Sequence, residues 1–398
     1  PHIEGCYLWF ANHRVSENMS NSSRVIKLTQ ALVSTNSESP PGKEREVANL
    51  LREHLEQYGI SCTSVGPNDR PNLIFSTNED TLGPVVFHGH MDTVPVGDLE
   101  RWSHDPFLGE IHDGKLYGRG ACDMKGPLAA LTEAMIQYND KKNDTPFVLL
   151  CTSDEESGCS GAEAVADSGI LSGVKYGVCA EPTDLHVLVG EKGMLWTKVI
   201  AHGKAAHGSR PSEGVNAIQL CSKAIEALSS HDYPYELNDL MGMMSLNVGM
   251  IKGGIKINVV PDYCEASLDM RTVKGQSTER MLNEMKHVLR IAGLDESVSI
   301  QYIHGKPAVV TPEDATIVTV TTNVVESVVG KKHPLSAATY GTDCSVLQPR
   351  IGILNVICGP GSIEQAHQPD EYIQVSQLME SVEIYLRIAD KISEVESS

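Results

Sequence analysis

The period of the hydrophobic pattern changes several times along the chain, and those changes divide it. Val47, Leu50, Leu51, Leu55 and Tyr58 recur every three to four residues and predict a helix that Gly59 stops. Apolar runs follow at 72–76, 85–88, 147–151 and 176–180, each short enough to read as a buried strand. Helical spacing fills the gaps between them at 128–138 and 162–166. Alternation of this kind predicts an α/β domain whose mixed, largely parallel sheet is flanked by helices.

The middle of the chain follows a different pattern. Residues 195–201 and 263–270 are strand-like, and further strand candidates at 245–260 are broken by Gly253-Gly254. Residues 215–228 and 281–289 are helical. Two helices on one antiparallel sheet make an inserted α+β domain, expected at 193–306. The α/β pattern resumes near Thr311 and closes with an amphipathic helix marked by Val375, Leu378, Met379, Val382, Tyr385, Leu386 and Ala389. The outer domain is therefore expected to be discontinuous, 19–192 with 307–398. Residues 1–18 carry a short apolar patch with no basic start before it, and Met19 opens a normal-looking start. They are expected to be an upstream extension or a cloning remnant.

Composition narrows the function classes. At 398 residues, two domains are the natural expectation. With 41% hydrophobic residues there is apolar material for two cores. The formal net charge of −20 argues against nucleic acid and against anionic membrane surfaces, which reward clustered Lys and Arg. Ten cysteines include no Cys-x-x-Cys pair, and Cys151, Cys179, Cys264 and Cys358 lie in apolar runs. That usage reads as buried, reduced thiols in a cytoplasmic protein. No apolar run approaches the roughly 20 residues that span a bilayer.

The candidate chemistry lies in five stretches: VVFHGHMDTVP (85–95), GRGACDMKG (118–126), TSDEESG (152–158), AEPT (180–183) and AHQPDEY (366–372). His90 ends an apolar strand, and Asp92, two residues on, shares its face on an extended segment and can orient the imidazole on a metal. Asp123 sits in a glycine-bounded loop. Glu155 and Glu156 follow a buried strand, and adjacent side chains diverge, so one can bind metal while the other acts as a base. Glu181 follows another strand, and His367 lies in a polar loop after a Gly-Pro-Gly turn. Read singly, each has a plain alternative: a core histidine, a turn aspartate, an acidic helix start. Together they mix His and carboxylate in the proportion that divalent metals prefer, with one Asp left to bridge two ions. A dinucleotide-binding oxidoreductase is a rival α/β reading. However, GRGACDMKG lacks the Gly-x-Gly-x-x-Gly spacing and the acidic residue about 20 positions on. A non-catalytic binding protein on the same scaffold would have lost a ligand or the base, and neither is missing.

In order and spacing these stretches resemble the dinuclear metallopeptidase/deacylase family that includes acetylornithine deacetylase, succinyl-diaminopimelate desuccinylase, aminoacylases and glutamate carboxypeptidases. The resemblance runs from about Met19 to the end. It implies two divalent ions, zinc foremost, with cobalt or manganese accepted. His90, Asp123 and Glu181 would hold one ion, and Asp123, Glu156 and His367 the other, with Asp123 bridging. It implies further that Asp92 orients His90 and that Glu155 is the general base. In the inserted domain, which in the family mediates homodimerisation, His207 of GKAAHGSRP matches the histidine that polarises the scissile carbonyl. Asn258 of INVVPD and Arg271 of LDMR match residues that bind a substrate carboxylate. From periodicity alone Arg271 falls on a solvated face with Glu265, Ser267 and Asp269. The stretches GPGSIEQAHQPDEY and GEKG look most like the acetylornithine deacetylase end of the family, whereas ATYGTDCS (338–345) looks closer to broader deacylases. The expected activity is hydrolysis of an N-acyl amino acid, N-acetylornithine first. Succinyl-diaminopimelate hydrolysis or metallo-dipeptidase/carboxypeptidase action are the alternatives.

Overall fold

The computed structural model describes residues 21–236 and 238–397, so the expectation for residues 1–18 lies outside the described residues. The chain divides into two units. Unit 1 holds residues up to Val189 together with Thr311–Leu335 and Thr342–Ser398, and unit 2 holds Gly190–Val310 with Ser336–Gly341.

Unit 1 opens with helices α1 (Asn21–Ser34) and α2 (Glu44–Glu56) and strands β1 (Cys62–Val65), β2 (Asn72–Ser76) and β3 (Val85–His90). A small hairpin follows, β4 (Ile111–His112) and β5 (Lys115–Tyr117), then α3 (Lys125–Asp140), β6 (Val148–Thr152), α4 (Ser160–Ser168), β7 (Tyr176–Cys179) and β8 (Leu188–Glu191). Unit 2 contributes β9 (Gly193–His202), α5 (Ala217–Ser229), β10 (Ser245–Gly253), β11 (Tyr263–Thr272), α6 (Thr278–Ile291), β12 (Val298–Lys306), β13 (Val309–Val310) and, after α7 (Thr316–Val329) of unit 1, β14 (Ser336–Ala338). Unit 1 closes with α8 (Cys344–Ile351), β15 (Leu354–Ile357), β16 (Tyr372–Gln374) and α9 (Val375–Glu396).

The large sheet runs β1-β2-β6-β3-β7-β15-β8 within unit 1, and its centre, β6-β3-β7-β15, is parallel throughout. Antiparallel strands flank that centre, β2 on one side and β8 on the other. Every residue of β3 and β6 is buried, as expected for strands covered on both faces. Adjacent residues of β3 feed opposite layers. Val86 packs with Val148, Leu150, Ala162, Val165, Val346 and Leu347, the side of α4 and α8. Phe87 stacks on Phe147 with centroids 4.4 Å apart and meets Tyr385 of α9 edge-on at 5.9 Å. Burial of such a side chain contributes about 1.5–3 kcal/mol.

Unit 2 is an antiparallel sheet of order β10-β11-β9-β12. Its β9 alternates, with Leu195, Thr197, Val199 and Ala201 inward, and α5 and α6 cover that inner face through Ala217, Cys221, Ala224, Leu228, Met281 and Met285. Both helices start on a side-chain cap. Asn216 accepts from the Gln219 N–H and Ser277 from the Arg280 N–H, each at 3.2 Å.

The strand within 245–260 ends at Gly253, where the Gly253-Gly254 break puts it, and beyond it Val259 makes an isolated bridge to His207. One detail differs from the sequence pattern. Segment 336–341, read from sequence as part of the outer domain, belongs to unit 2, where the Ala338 carbonyl accepts from the Lys192 N–H at 3.0 Å. All nine cysteines among the described residues are free thiols. No helix among them is long and apolar enough to cross a membrane.

Candidate metal centre

Four parallel strands end at one edge of unit 1, and each hands the chain to an acidic or histidine-bearing loop. This is where ligand sites form in open α/β sheets. His90 is the last residue of β3 and is 1% exposed. Its Nδ1–H donates to the main-chain carbonyl of Asp92 at 2.9 Å, which fixes the neutral tautomer and aims the Nε2 lone pair outward. Nε2 then faces Asp123 Oδ1 at 3.0 Å and Glu181 Oε1 at 3.4 Å. A lone pair against two carboxylates is repulsive unless a cation stands among them. The protein alone answers with a proton: burial opposes the charged imidazole, but Glu181, Asp123 and Asp92 outweigh it and raise the His90 pKa well above its ordinary value.

The Asp92 carboxylate stands beside the same nitrogen, with Oδ1 3.7 Å from His90 Nδ1. It also accepts the backbone N–H groups of Glu155 and Glu156, at 3.2 and 3.1 Å. Asp92 thus holds His90 through its carbonyl and the acidic pair through its side chain. Burial lifts its pKa to about 7, against the pull of His90.

Asp123 lies between the two histidines, with Oδ1 on His90 and Oδ2 3.4 Å from His367 Nε2. Burial opposes its charge, yet the hydrogen bonds from His367 and His90 hold its pKa below the usual carboxylate range. Glu156 meets His367 Nε2 at 3.1 and 3.2 Å. The hydrogen bonds that His367 gives to Asp123 and Glu156 raise its pKa to about 10. His367 has φ 64°, an uncommon left-handed conformation outside glycine, in a loop where Asp370 accepts from Ser103 and His104 N–H groups. Glu155 diverges from its neighbour: its carboxylate groups with His90 and Glu181 within 4.8 Å, and Cys159 Sγ lies 3.5 Å from its Oε1. Burial, reinforced by Asp123, pushes the Glu181 pKa well up.

This donor set fits divalent metal. Asp123, Glu181, Glu156 and Glu155 crowd around the two imidazoles of His90 and His367. Buried carboxylates at this density require positive charge, and mixed His/carboxylate donors are what zinc-like ions accept. His90, Asp123 and Glu181 could hold one ion; Asp123, Glu156 and His367 could hold another.

One contributor escaped the sequence reading. Glu371 is fully buried and accepts the backbone N–H groups of Gly120, Cys122 and Asp123 at 2.9–3.0 Å, while Arg119 Nη1 pairs with it at 2.7 Å. It fixes the loop that presents Asp123. The only signal was its place in AHQPDEY, four residues after His367, and a loop conformation has no periodicity to read.

In unit 2 none of the three expected residues is buried. His207 is exposed, and its Nδ1 accepts from the Ser209 N–H at 3.2 Å, so the proton of the neutral ring lies on Nε2. The Gly208 N–H donates to the Asn258 carbonyl at 2.8 Å, which makes His207 and Asn258 neighbours. Arg271, on the outward face of β11, gives Nε and Nη2 to Asp269 Oδ2 at 3.1 and 3.0 Å. The inward face, Cys264, Ala266, Leu268 and Met270, is buried as the alternation predicts.

Among solved structures, a tripeptidase from Staphylococcus aureus is 23% identical with TM-score 0.78, covering 95% of this chain and 100% of that one. The aminopeptidase PepT from Bacillus cereus is 24% identical with TM-score 0.76, over 94% and 99%. The YXEP protein of Bacillus subtilis, described as a dinuclear metal binding peptidase from the M20 family, is 18% identical with TM-score 0.74, over 95% and 99%. At these identities the likeness shows the fold. The family model described as peptidase family M20/M25/M40 matches residues 86–391, a stretch that takes in the whole candidate centre. The chain therefore belongs to peptidase family M20/M25/M40 and is a metallohydrolase of amide or peptide bonds.

Proposed function

We propose that the protein is an N-acyl-amino-acid amidohydrolase with N-acetylornithine as its leading substrate, working with two zinc ions as a homodimer in the cytoplasm. The observation that carries the chemistry is the position of Asp123, with one oxygen toward His90 and the other toward His367. A carboxylate so placed is the natural bridge of a dinuclear site.

Two divalent ions held among these groups would supply Lewis-acid polarisation of the amide carbonyl and would lower the pKa of water. The residues do the rest. Glu155, beside His90 and Glu181, takes the proton of the attacking water and returns it to the departing nitrogen. His207, with its proton on Nε2, donates to the oxygen that becomes negative. Arg271 and Asn258 hold the α-carboxylate, for which the substrate must draw the Arg271 fork from Asp269. The acetylornithine preference rests on GPGSIEQAHQPDEY and GEKG. The dimer is supported by apolar side chains that unit 2 leaves in solvent, Met250, Ile251, Ile255 (89% exposed) and Ile257 (102%) among them.

Hydrolysis of N-acetylornithine, N-acetylmethionine, N-succinyl-diaminopimelate and a dipeptide by zinc-loaded protein, with and without chelator, tests this reading. Chelator-sensitive acetate release, fastest from N-acetylornithine, is expected. Preference for the dipeptide would move the function to the peptidases, and silence without bound metal would end it.

A further inference from the structure

One pleat below the His90–Glu181 pair, the same two strands carry a set of soft donors that the hydrolytic chemistry does not use. His88 and Cys179 are direct partners in the β3–β7 register, each two residues before His90 and Glu181. Cys344, the first residue of α8, brings its Sγ to 4.0 Å from His88 Nε2. The three ligand atoms lie within 4.8 Å of one another, and none of the three residues is more than 1% exposed. A fourth donor is at hand. Asn355 Oδ1 stands 3.2 Å from His88 Nε2, in space that exists because residue 177 is glycine: a Cβ there would lie 1.9 Å from that oxygen. Among the described residues His88 Nδ1 has no hydrogen-bond partner, and the contact to Asn355 lies on the Nε2 side.

We propose that His88, Cys179 and Cys344, completed by the Asn355 side-chain oxygen, form a structural site for a thiophilic divalent cation of the zinc class. Metal–sulfur and metal–nitrogen bonds of about 2.3 and 2.0 Å put donor atoms roughly 3.5–3.8 Å apart around a tetrahedral ion. The 4.0 Å contact between Cys344 and His88 needs to close by about half an ångström. On binding, Cys179 and Cys344 each lose a thiol proton to solvent, the ring proton that His88 Nε2 gives to Asn355 Oδ1 moves to Nδ1, and the two thiolate charges cancel the ion's two positive ones. That neutrality selects the ion's charge. A monovalent cation would leave a net negative centre in the core beside Asp343, whose carboxylate is itself buried. Sulfur donors and full burial disfavour magnesium or calcium. The bound ion would tie α8 to the two strands that deliver His90 and Glu181.

The test uses the full chain, unfolded in chelator and reductant and refolded with cobalt. The wild type is expected to bind one equivalent more than the Cys179→Ser/Cys344→Ser variant and to show near-ultraviolet thiolate-to-cobalt absorption, which donors of nitrogen and oxygen alone do not give. The variant should lose both signals and keep the metal that supports hydrolysis. X-ray absorption of zinc-loaded wild type should show a sulfur shell at about 2.3 Å, and decides the matter even if the variant fails to fold. No sulfur shell and no charge-transfer band in the wild type, a band that persists in the variant, or a 179–344 disulfide in the isolated protein would each overturn the proposal.

Discussion

Unit 1 buries its chemistry and unit 2 displays it. His90, Asp92 and Glu181 are 1%, 0% and 5% exposed, whereas His207 and Asn258 stand in solvent and Arg271 is half-buried. In unit 1 the charged groups constrain one another so tightly that their pKa values move far from ordinary, by burial first and by mutual charge second. In unit 2 each group has one or two local partners and keeps its freedom. The difference teaches that the two regions have different tasks. A dense, desolvated cluster suits the holding of cations, whereas an open antiparallel face leaves its polar groups in contact with water.

Four measurements sharpen or break that contrast. Glu155→Ala should lower turnover by about 10²–10⁴-fold with metal content unchanged, because a base that does not ligate leaves the cluster intact. Metal loss in that variant, read by elemental analysis, would mean that Glu155 and Glu156 exchange roles. His207→Ala should lower kcat by about 10²–10³-fold, again without metal loss, as expected for an oxyanion donor. A change in KM alone would reduce His207 to a binding group. Arg271→Ala should lower kcat/KM by about 10–100-fold for substrates with a free α-carboxylate, the worth of one charged hydrogen-bonded contact. An equal loss on the amidated analogue would remove its assignment.

The smallest effect concerns stability. Burial, with help from Arg24, lowers the His54 pKa to about 4, below its unfolded value near 6.5. The unfolded chain then binds the proton more readily, so this group's contribution is full above pH 6.5 and is lost as pH falls toward 4. Relative to His54→Gln, the metal-free wild type should lose stability over that window, by something on the order of 1–3 kcal/mol. Parallel denaturation curves at pH 7 and pH 4.5 would refute the assignment. Comparing with the variant matters because Asp92, whose folded pKa is raised to about 7, pushes the other way as pH falls.

The elements of both units were largely legible in the sequence, because strand and helix periods are local. The β3 and β6 runs, the inward alternation of β11 and the α9 stripe all appear where the pattern puts them. The unit 1 centre was legible because parallel strands deposit their following residues at one edge, so motifs far apart in sequence converge. What escaped depended on loop backbone. The turn after His90 that takes the Asp92 carboxylate to Glu155 and Glu156 leaves no periodic trace. The same holds for the three N–H groups that converge on Glu371. In unit 2 the residues singled out, His207, Asn258 and Arg271, could be read only by resemblance, since a solvated face gives the same pattern.

The position of β15 has a consequence for how the chain comes to life on the ribosome. This strand lies between β7 and β8, so the central sheet has a gap until residue 357 has been synthesised. Unit 2 is almost wholly continuous in sequence, from 190 to 310, and its four-stranded sheet is complete before then. The inserted unit can therefore fold while the outer one waits, contrary to the usual order in which N-terminal domains finish first. His367 emerges later still. The nascent chain carries His90, Asp123, Glu156 and Glu181 well before His367, so the cluster that joins these side chains cannot close until residue 367 has been made.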